Sequence, residues 1–173
     1  MKNEIRALSL KDSVEIADHL MRLDKEARRF RFCCVPSDAY IQNYVSNFDW
    51  DCQILFGYLE NNTVRAIVEV GWESWSFPRS GDLGMSVELP WRRKGVGSNL
   101  LNLTFEAARN RFVKEIHADC MAENKNAIAL LRKFGFRFRY KGYLLNTSLE
   151  LGWPEFQRES SATAKSFISN GTS

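Results

Sequence analysis

Residues 86–101 read SVELPWRRKGVGSNLL, with three cations, Arg92, Arg93 and Lys94, directly before Gly95-Val96-Gly97. The preceding DLGMSVE (residues 82–88) has the make-up of a strand. From Gly97 to about Phe112, apolar positions recur with helical spacing at Leu101, Phe105, Ala108 and Phe112. The stretch is therefore a basic strand-to-helix turn. A helix start leaves about four N–H groups without intrahelical partners and carries roughly half a positive charge. Glycines at 95 and 97 let a ligand approach those amides with no Cβ in the way. Cationic side chains add charge-assisted bonds of about 1.5–3 kcal/mol each. A pyrophosphate suits such a turn. The plain alternative is a solvated basic loop with a glycine cap.

Two nucleotide motifs do not account for it. A P-loop places its lysine after the second glycine of GxxxxGK[ST], but here Lys94 precedes Gly95. A dinucleotide fingerprint needs GxGxxG near the first strand, and Gly95-Val96-Gly97 is only half of that, in mid-chain.

A length of 173 residues fits one domain or two small ones, and 45% hydrophobic content is enough for a core without staples. The charge balance of 24 Lys and Arg against 21 Asp and Glu leaves +3, too little for general nucleic-acid binding. No apolar run approaches the ~18 residues that span a bilayer. The opening MKNEIRALSLKDSVEI is charged and lacks a signal segment, so a cytoplasmic location with no membrane partner is expected. The four cysteines, Cys33, Cys34, Cys52 and Cys120, have no CxxC spacing and are expected to be reduced, buried hydrophobes. Two histidines, His19 and His117, offer no His-rich metal site, and no metal is expected.

Residues 3–8 look like a strand, and Asp12 or Ser13 caps a helix with its stripe at Val14, Ile16, Ala17, Leu20 and Leu23. DKEARRFRFCC (residues 24–34) shows no clear period. Pro36-Ser37-Asp38 starts a helix facing inward through Ile41, Tyr44, Val45 and Phe48. CQILFGYLE and TVRAIVEVGW, around Asn61-Asn62, predict a hairpin. SWSFPRSG is a loop. EIHADCM is a strand, followed by a helix through Ala127, Ile128, Leu131 and Phe134, with Gly135 as a left-handed cap and Phe136 folding back. FRFRYKGY and LLNTSLEL close the chain as strands. The result is an α/β fold, a mixed and mostly antiparallel central sheet flanked by helices. It forms one domain over residues 1–156, with a flexible Ser/Thr-rich tail over 157–173.

The spacing is more specific than the charge. Val87 is followed five residues on by Arg92, then Arg-x-x-Gly-x-Gly, then an apolar helix. Downstream, Asn124-x-x-Ala127 leads through Leu130 to Phe134-Gly135-Phe136. Over residues 82–136 this resembles the GNAT acetyltransferase superfamily, including its bacterial protein-lysine and ribosomal-protein branches. The family's loop reads V-x-x-x-x-[QR]-x-x-G-x-[GA], followed by N-x-x-A-x-x-L-x-x-x-x-GF. The resemblance implies acetyl-CoA as co-substrate. Arg92, Arg93, Lys94, Gly95, Val96, Gly97 and Ser98 would hold the pyrophosphate. The backbone of Met85, Ser86 and Val87 would pair with the pantetheine arm where the strand splays from its neighbour. Asn124 would contact the arm near the thioester.

The implied reaction is direct acetyl transfer to a primary amine in a ternary complex. Asp82 and Asp119 match positions where relatives carry a glutamate base; being shorter, each would work through a water. Glu69 and Glu73 are further options, and all four have a purely structural alternative. A backbone N–H near Val87, aimed by a bulge, would serve the oxyanion. Leu131 stands where many relatives have a tyrosine acid; Tyr140 and Tyr143 are substitutes or, more simply, packing residues. The acceptor (a protein lysine, an N-terminus or a small amine) would meet residues 30–32, Trp72 and Trp75, for which core packing and loop anchoring are the structural alternatives. A homodimer fits the family. The competing reading is a CoA-binding sensor without catalysis.

Overall fold

The computed structural model describes residues 2–75 and 77–152. The tail expected over 157–173 lies outside them. The strands are β1 (Asn3–Ala7), β2 (Gln53–Glu60), β3 (Thr63–Trp72), β4 (Arg79–Val87), β5 (Val113–Met121), β6 (Arg137–Lys141) and β7 (Leu144–Glu150). They form one seven-stranded sheet in the order β1-β2-β3-β4-β5-β7-β6, and all neighbours are antiparallel except β4 and β5. Helices α1 (Ser13–Arg22), α2 (Lys25–Phe32) and α3 (Asp38–Ser46) precede the hairpin. Helix α4 (Val96–Asn110) makes the crossover from β4 to β5, and α5 (Lys125–Lys133) follows β5.

Local chemistry sets the boundaries. Asn61 and Asn62 both have positive φ, 50° and 66°, the requirement of a tight primed turn between β2 and β3. Ser37 caps α3 by accepting from the Tyr40 N–H. At the end of α5, Gly135 takes φ 84°; its N–H donates to Arg132 O and that of Phe136 to Leu131 O, a Schellman closure.

Each sheet face has its own core. Val68 and Val70 of β3, Leu100, Leu101 and Phe105 of α4, and Ile116 of β5 pack on one face. Ile16 and Leu20 of α1, Ile41 and Val45 of α3, and Leu55, Leu59 and Ile67 pack on the other. A bulge near the hairpin turn leaves Arg65 as an extra residue between Val64, paired with Leu59, and Ala66, paired with Tyr58. It turns Val64 onto the α1 face.

Several expectations need correcting. Residues 25–32 form a helix that the sequence pattern hides, because its inward side carries a buried Arg31 alongside Ala27 and Phe32. Asp24 caps it through the Ala27 N–H. Helix α4 ends at Asn110, and Phe112 sits past it with φ 61°, half-exposed rather than on the apolar stripe. Tyr140 and Tyr143 are exposed on the last hairpin, not packed, and Trp75 is exposed in its loop. Of the cysteines only Cys120 is buried; Cys34 is exposed.

Ile67 has no exposed surface and packs in the α1–α3 core. Ile67→Ala is expected to cost about 2–5 kcal/mol, read as a lower denaturant midpoint at unchanged slope.

Candidate active site

Gly95 ends the basic loop with φ 80°, and Arg93 two residues earlier has φ 61°. Alternating left-handed residues curl a chain so that successive N–H groups converge into an anion nest. The first helical bond of α4 runs from the Asn99 N–H to Gly95 O, 3.0 Å. The amides of Val96, Gly97 and Ser98 precede it, and among the described residues no side chain accepts from them. The two glycines do different work. A Cβ on Gly95 would meet nothing within 4 Å, so its role is the positive φ. One on Gly97 would lie 3.2 Å from Met85 Cε and 3.4 Å from Leu130 Cδ2, so its role is close packing of α4 on β4 and α5. The expected open approach thus holds at Gly95 and not at Gly97.

The three cations also divide. Arg92 donates from Nε to Val87 O at 2.8 Å and braces the loop on β4. Arg93 and Lys94 are exposed, with Arg93 Nη1 3.4 Å from Asn126 Oδ1.

β4 pairs with β5 only from Arg79 to Asp82, opposite Val113 to His117. Beyond that the two strands part, while β4 stays paired with β3 as far as Val87 opposite Ala66. The Glu88 N–H donates to Arg65 O on the β3 side. By strand alternation the main-chain groups of Val87 and Met85 face the gap, which the engagement of Val87 O by Arg92 corroborates. The expected bulge at Val87 is absent: the β3–β4 register is unbroken there, and the parting of the strands exposes the N–H instead. Asn124 caps α5, its Oδ1 accepting from the Ala127 N–H at 3.1 Å, which leaves its Nδ2 for another partner.

Four residues form a row across the sheet at the point of divergence: Gln53 on β2, Gly71 on β3, Asp82 on β4 and His117 on β5. Asp119 lies two residues beyond His117 on the same face. Asp82 keeps much of its surface exposed, and it is partial desolvation that pushes its carboxyl above the ordinary range; His117 opposes this, and Asp119 and Glu73 reinforce it. Asp119 is exposed and accepts from Asn146 Nδ2 at 2.5 Å.

Asp82 opens onto a cleft of about 500 Å³ beneath α3. Tyr40, Tyr44 and Phe48 contribute aromatic surface, Trp72 borders it from the α4-side core in which it is buried, and Asp49, Glu69 and Glu73 contribute carboxylates; among the described residues no lysine or arginine lines it. Arg31 and the Tyr44 hydroxyl both donate to the Glu69 Oε1, while its buried Oε2 has no hydrogen-bond partner among the described residues. Burial disfavours the Arg31 charge, but Glu69 and Tyr44 outweigh it and raise its pKa. Gly84 leaves room for this ion pair, since a Cβ there would strike the Arg31 guanidinium. Gly71, at the cleft floor, is a different case: its nearest neighbour would be Cys52 O at 3.9 Å, and its φ is not positive. Neither packing nor backbone demands a glycine at 71.

Leu131 is buried in the α4–α5 core. Between β5 and α5, the Ala122 N–H donates to the Tyr143 carbonyl at 3.0 Å. The sequence reading singled out Glu69, residues 30–32 and Tyr44 separately but missed the pairing of Arg31 with Glu69 and Tyr44, and it missed Gly71.

Among solved structures, the GNAT domain of S. lividans PAT matches with TM-score 0.74 at 14% identity, covering 86% of this chain and 90% of its own. The ribosomal-protein-S18-alanine N-acetyltransferase from Escherichia coli matches with TM-score 0.66 at 18% identity, covering 88% and 96%. The paia N-acetyltransferase from Thermoplasma acidophilum, in complex with coenzyme A, matches with TM-score 0.63 at 15% identity, covering 87% and 99%. These likenesses show the fold. No curated protein sequence matches the chain significantly. The family model for the acetyltransferase (GNAT) family matches residues 18–136. The chain therefore belongs to the acetyltransferase (GNAT) family, whose chemistry is acyl transfer from acetyl-CoA to an amine.

Proposed function

We propose that the protein moves the acetyl group of acetyl-CoA directly to a cationic primary amine held in the cleft beneath α3. The observation that carries this reading is the parting of β4 from β5, with the 96–98 amides, unpartnered among the described residues, at one end and Asp82 at the other. Acetyl-CoA supplies an activated acetyl thioester. Arg93, Lys94 and the 96–98 amides hold its diphosphate, the gap-facing groups of Met85 pair with its arm, and Asn124 Nδ2 reaches the arm from α5.

The acceptor arrives as an ammonium, which suits a cleft with carboxylates and aromatic faces and, among the described residues, no cation on its lining. With a pKa near ~10.4, about one amine in a thousand is neutral at pH 7, a cost of about 4–5 kcal/mol. Asp82 removes that proton through a water. The Val87 N–H donates to the oxygen that becomes anionic on attack. With a thiol pKa near ~8.5, thiolate departure at pH 7 costs only about 2 kcal/mol, so a buried Leu131 in place of an acid is tolerable.

Thiol release from acetyl-CoA in the presence of lysine peptides, N-terminal peptides and polyamines tests this reading. Release with at least one of them is expected. Coenzyme binding with silence across the whole panel would instead mark a sensor. Asp82 acts ionised, and its environment raises its pKa. Activity is therefore expected to fall as pH drops, with the acid limb placed above that of an ordinary aspartate. Asp82→Asn is expected to lower kcat about 100-fold or more and to abolish that limb.

Gly71→Leu fills the cleft floor. The acceptor KM is expected to rise at least about tenfold, the loss of about 1.4 kcal/mol of binding, while the KM for acetyl-CoA stays unchanged. An equal rise in both would remove the cleft from the acceptor site.

A further inference from the structure

A polar cluster between α1 and β4 has no part in the chemistry above. His19 of α1 has no exposed surface. Its Nε2 lies 2.8 Å from Ser86 Oγ and its Nδ1 3.1 Å from Glu88 Oε1. Ser86 and Glu88 are the two residues flanking Val87, and both are buried. Glu88 is held further by Arg22 Nε at 3.0 Å and Arg65 Nη1 at 3.2 Å. Arg22 Nη2 also donates to Val64 O at 2.6 Å, next to the bulge residue Arg65.

Protonation states follow from the surroundings. Burial holds the His19 ring below its ordinary pKa, against the pull of Glu88, so it is neutral. Burial alone would push Glu88 up, but the hydrogen bonds from His19 and Arg22 outweigh it and keep the carboxyl low and ionised. The ring therefore donates from Nδ1 to Glu88 and accepts at Nε2 from the Ser86 hydroxyl. Serine, histidine and carboxylate are linked as in a nucleophile triad. Here, however, the Ser86 hydroxyl is buried beneath α1, and it is the main chain of β4 that faces the gap. Burying such groups costs free energy, and it is tolerable only because each is paired.

We propose that His19 is a positioning residue for Val87. By gripping the side chains on both sides, it fixes the peptide plane that carries the Val87 N–H at the parted edge of β4. This rests on the reading of that N–H as the oxyanion donor. A donor that wanders loses part of the 10²–10³-fold, in order of magnitude, that a well-aimed one supplies.

Ser86→Ala and His19→Gln each loosen one or both grips. Each is expected to lower kcat about tenfold, with both KM values within about twofold. The double variant should fall no further than the worse single one, because the two residues act as a unit. The Val87 amide cross-peak, sharp in the parent protein, should broaden in both variants while those of Val68 and Val70 stay sharp. A purely stabilising cluster would lower Tm and leave kcat and the Val87 line width unchanged well below Tm; that result would overturn the proposal. So would acetylation of Ser86 in the parent protein mixed with acetyl-CoA and no amine, which would make it a nucleophile. If the parent protein acetylates no amine, the catalytic reading fails, and the Val87 line widths still decide whether His19 grips the strand.

Discussion

A strand with a neighbour on one side only must find partners for half of its main-chain groups, and β4 is such a strand from Leu83 to Val87. It lies in the middle of a seven-stranded sheet, where an unpaired edge is unusual. The pairing with β5 already shifts register between Arg79 and Ser80 and ends at Asp82. The close seat of Gly97 against Met85 and Leu130 fits the start of α4 at the gap, and with it the amides that carry no partner among the described residues. An extended ligand with an anionic head satisfies both needs at once. Its arm can pair with the open strand and its diphosphate with the helix start.

The two sheet faces bear on this gap differently. The α4–α5 face is apolar, and it sets where the basic turn before α4 stands. The α1–α3 face mixes an apolar core with two buried polar groups, one around Glu69 and one around Glu88. Such groups stabilise little by themselves, because desolvation offsets most of their attraction. Their value is geometric. Arg31 ties α2 to β3 beside the cleft, and His19 ties α1 to β4 beside Val87. Replacing either by apolar packing would keep a fold but release the elements that border the site.

Elements whose signal is local were legible in the sequence. The Asn61-Asn62 turn, the Ser37 cap and the Gly135 closure each follow from one or two residues, and so does the basic turn before α4. Helix α2 was not legible, because hydrophobic period is blind to an inward arginine whose partner, Glu69, lies 38 residues away. Phe112 fits the helical stripe by spacing, yet the chain has already left α4 at Asn110 to enter β5. The role of Gly71 depends on a row of residues from four strands, and register is not visible in a single chain. The same holds for His19: its two partners, 67 and 69 residues away, come together only once α1 lies on β4.

The central claim is that the gap between β4 and β5, together with the start of α4, receives coenzyme A. Backbone amide resonances recorded while coenzyme A is titrated into the protein test it most directly. The account predicts saturable shifts at Val96, Gly97 and Ser98 and at Met85 and Val87, with little change on β1 or β6. Saturation with those five amides unmoved, or no change anywhere at millimolar coenzyme, would contradict it.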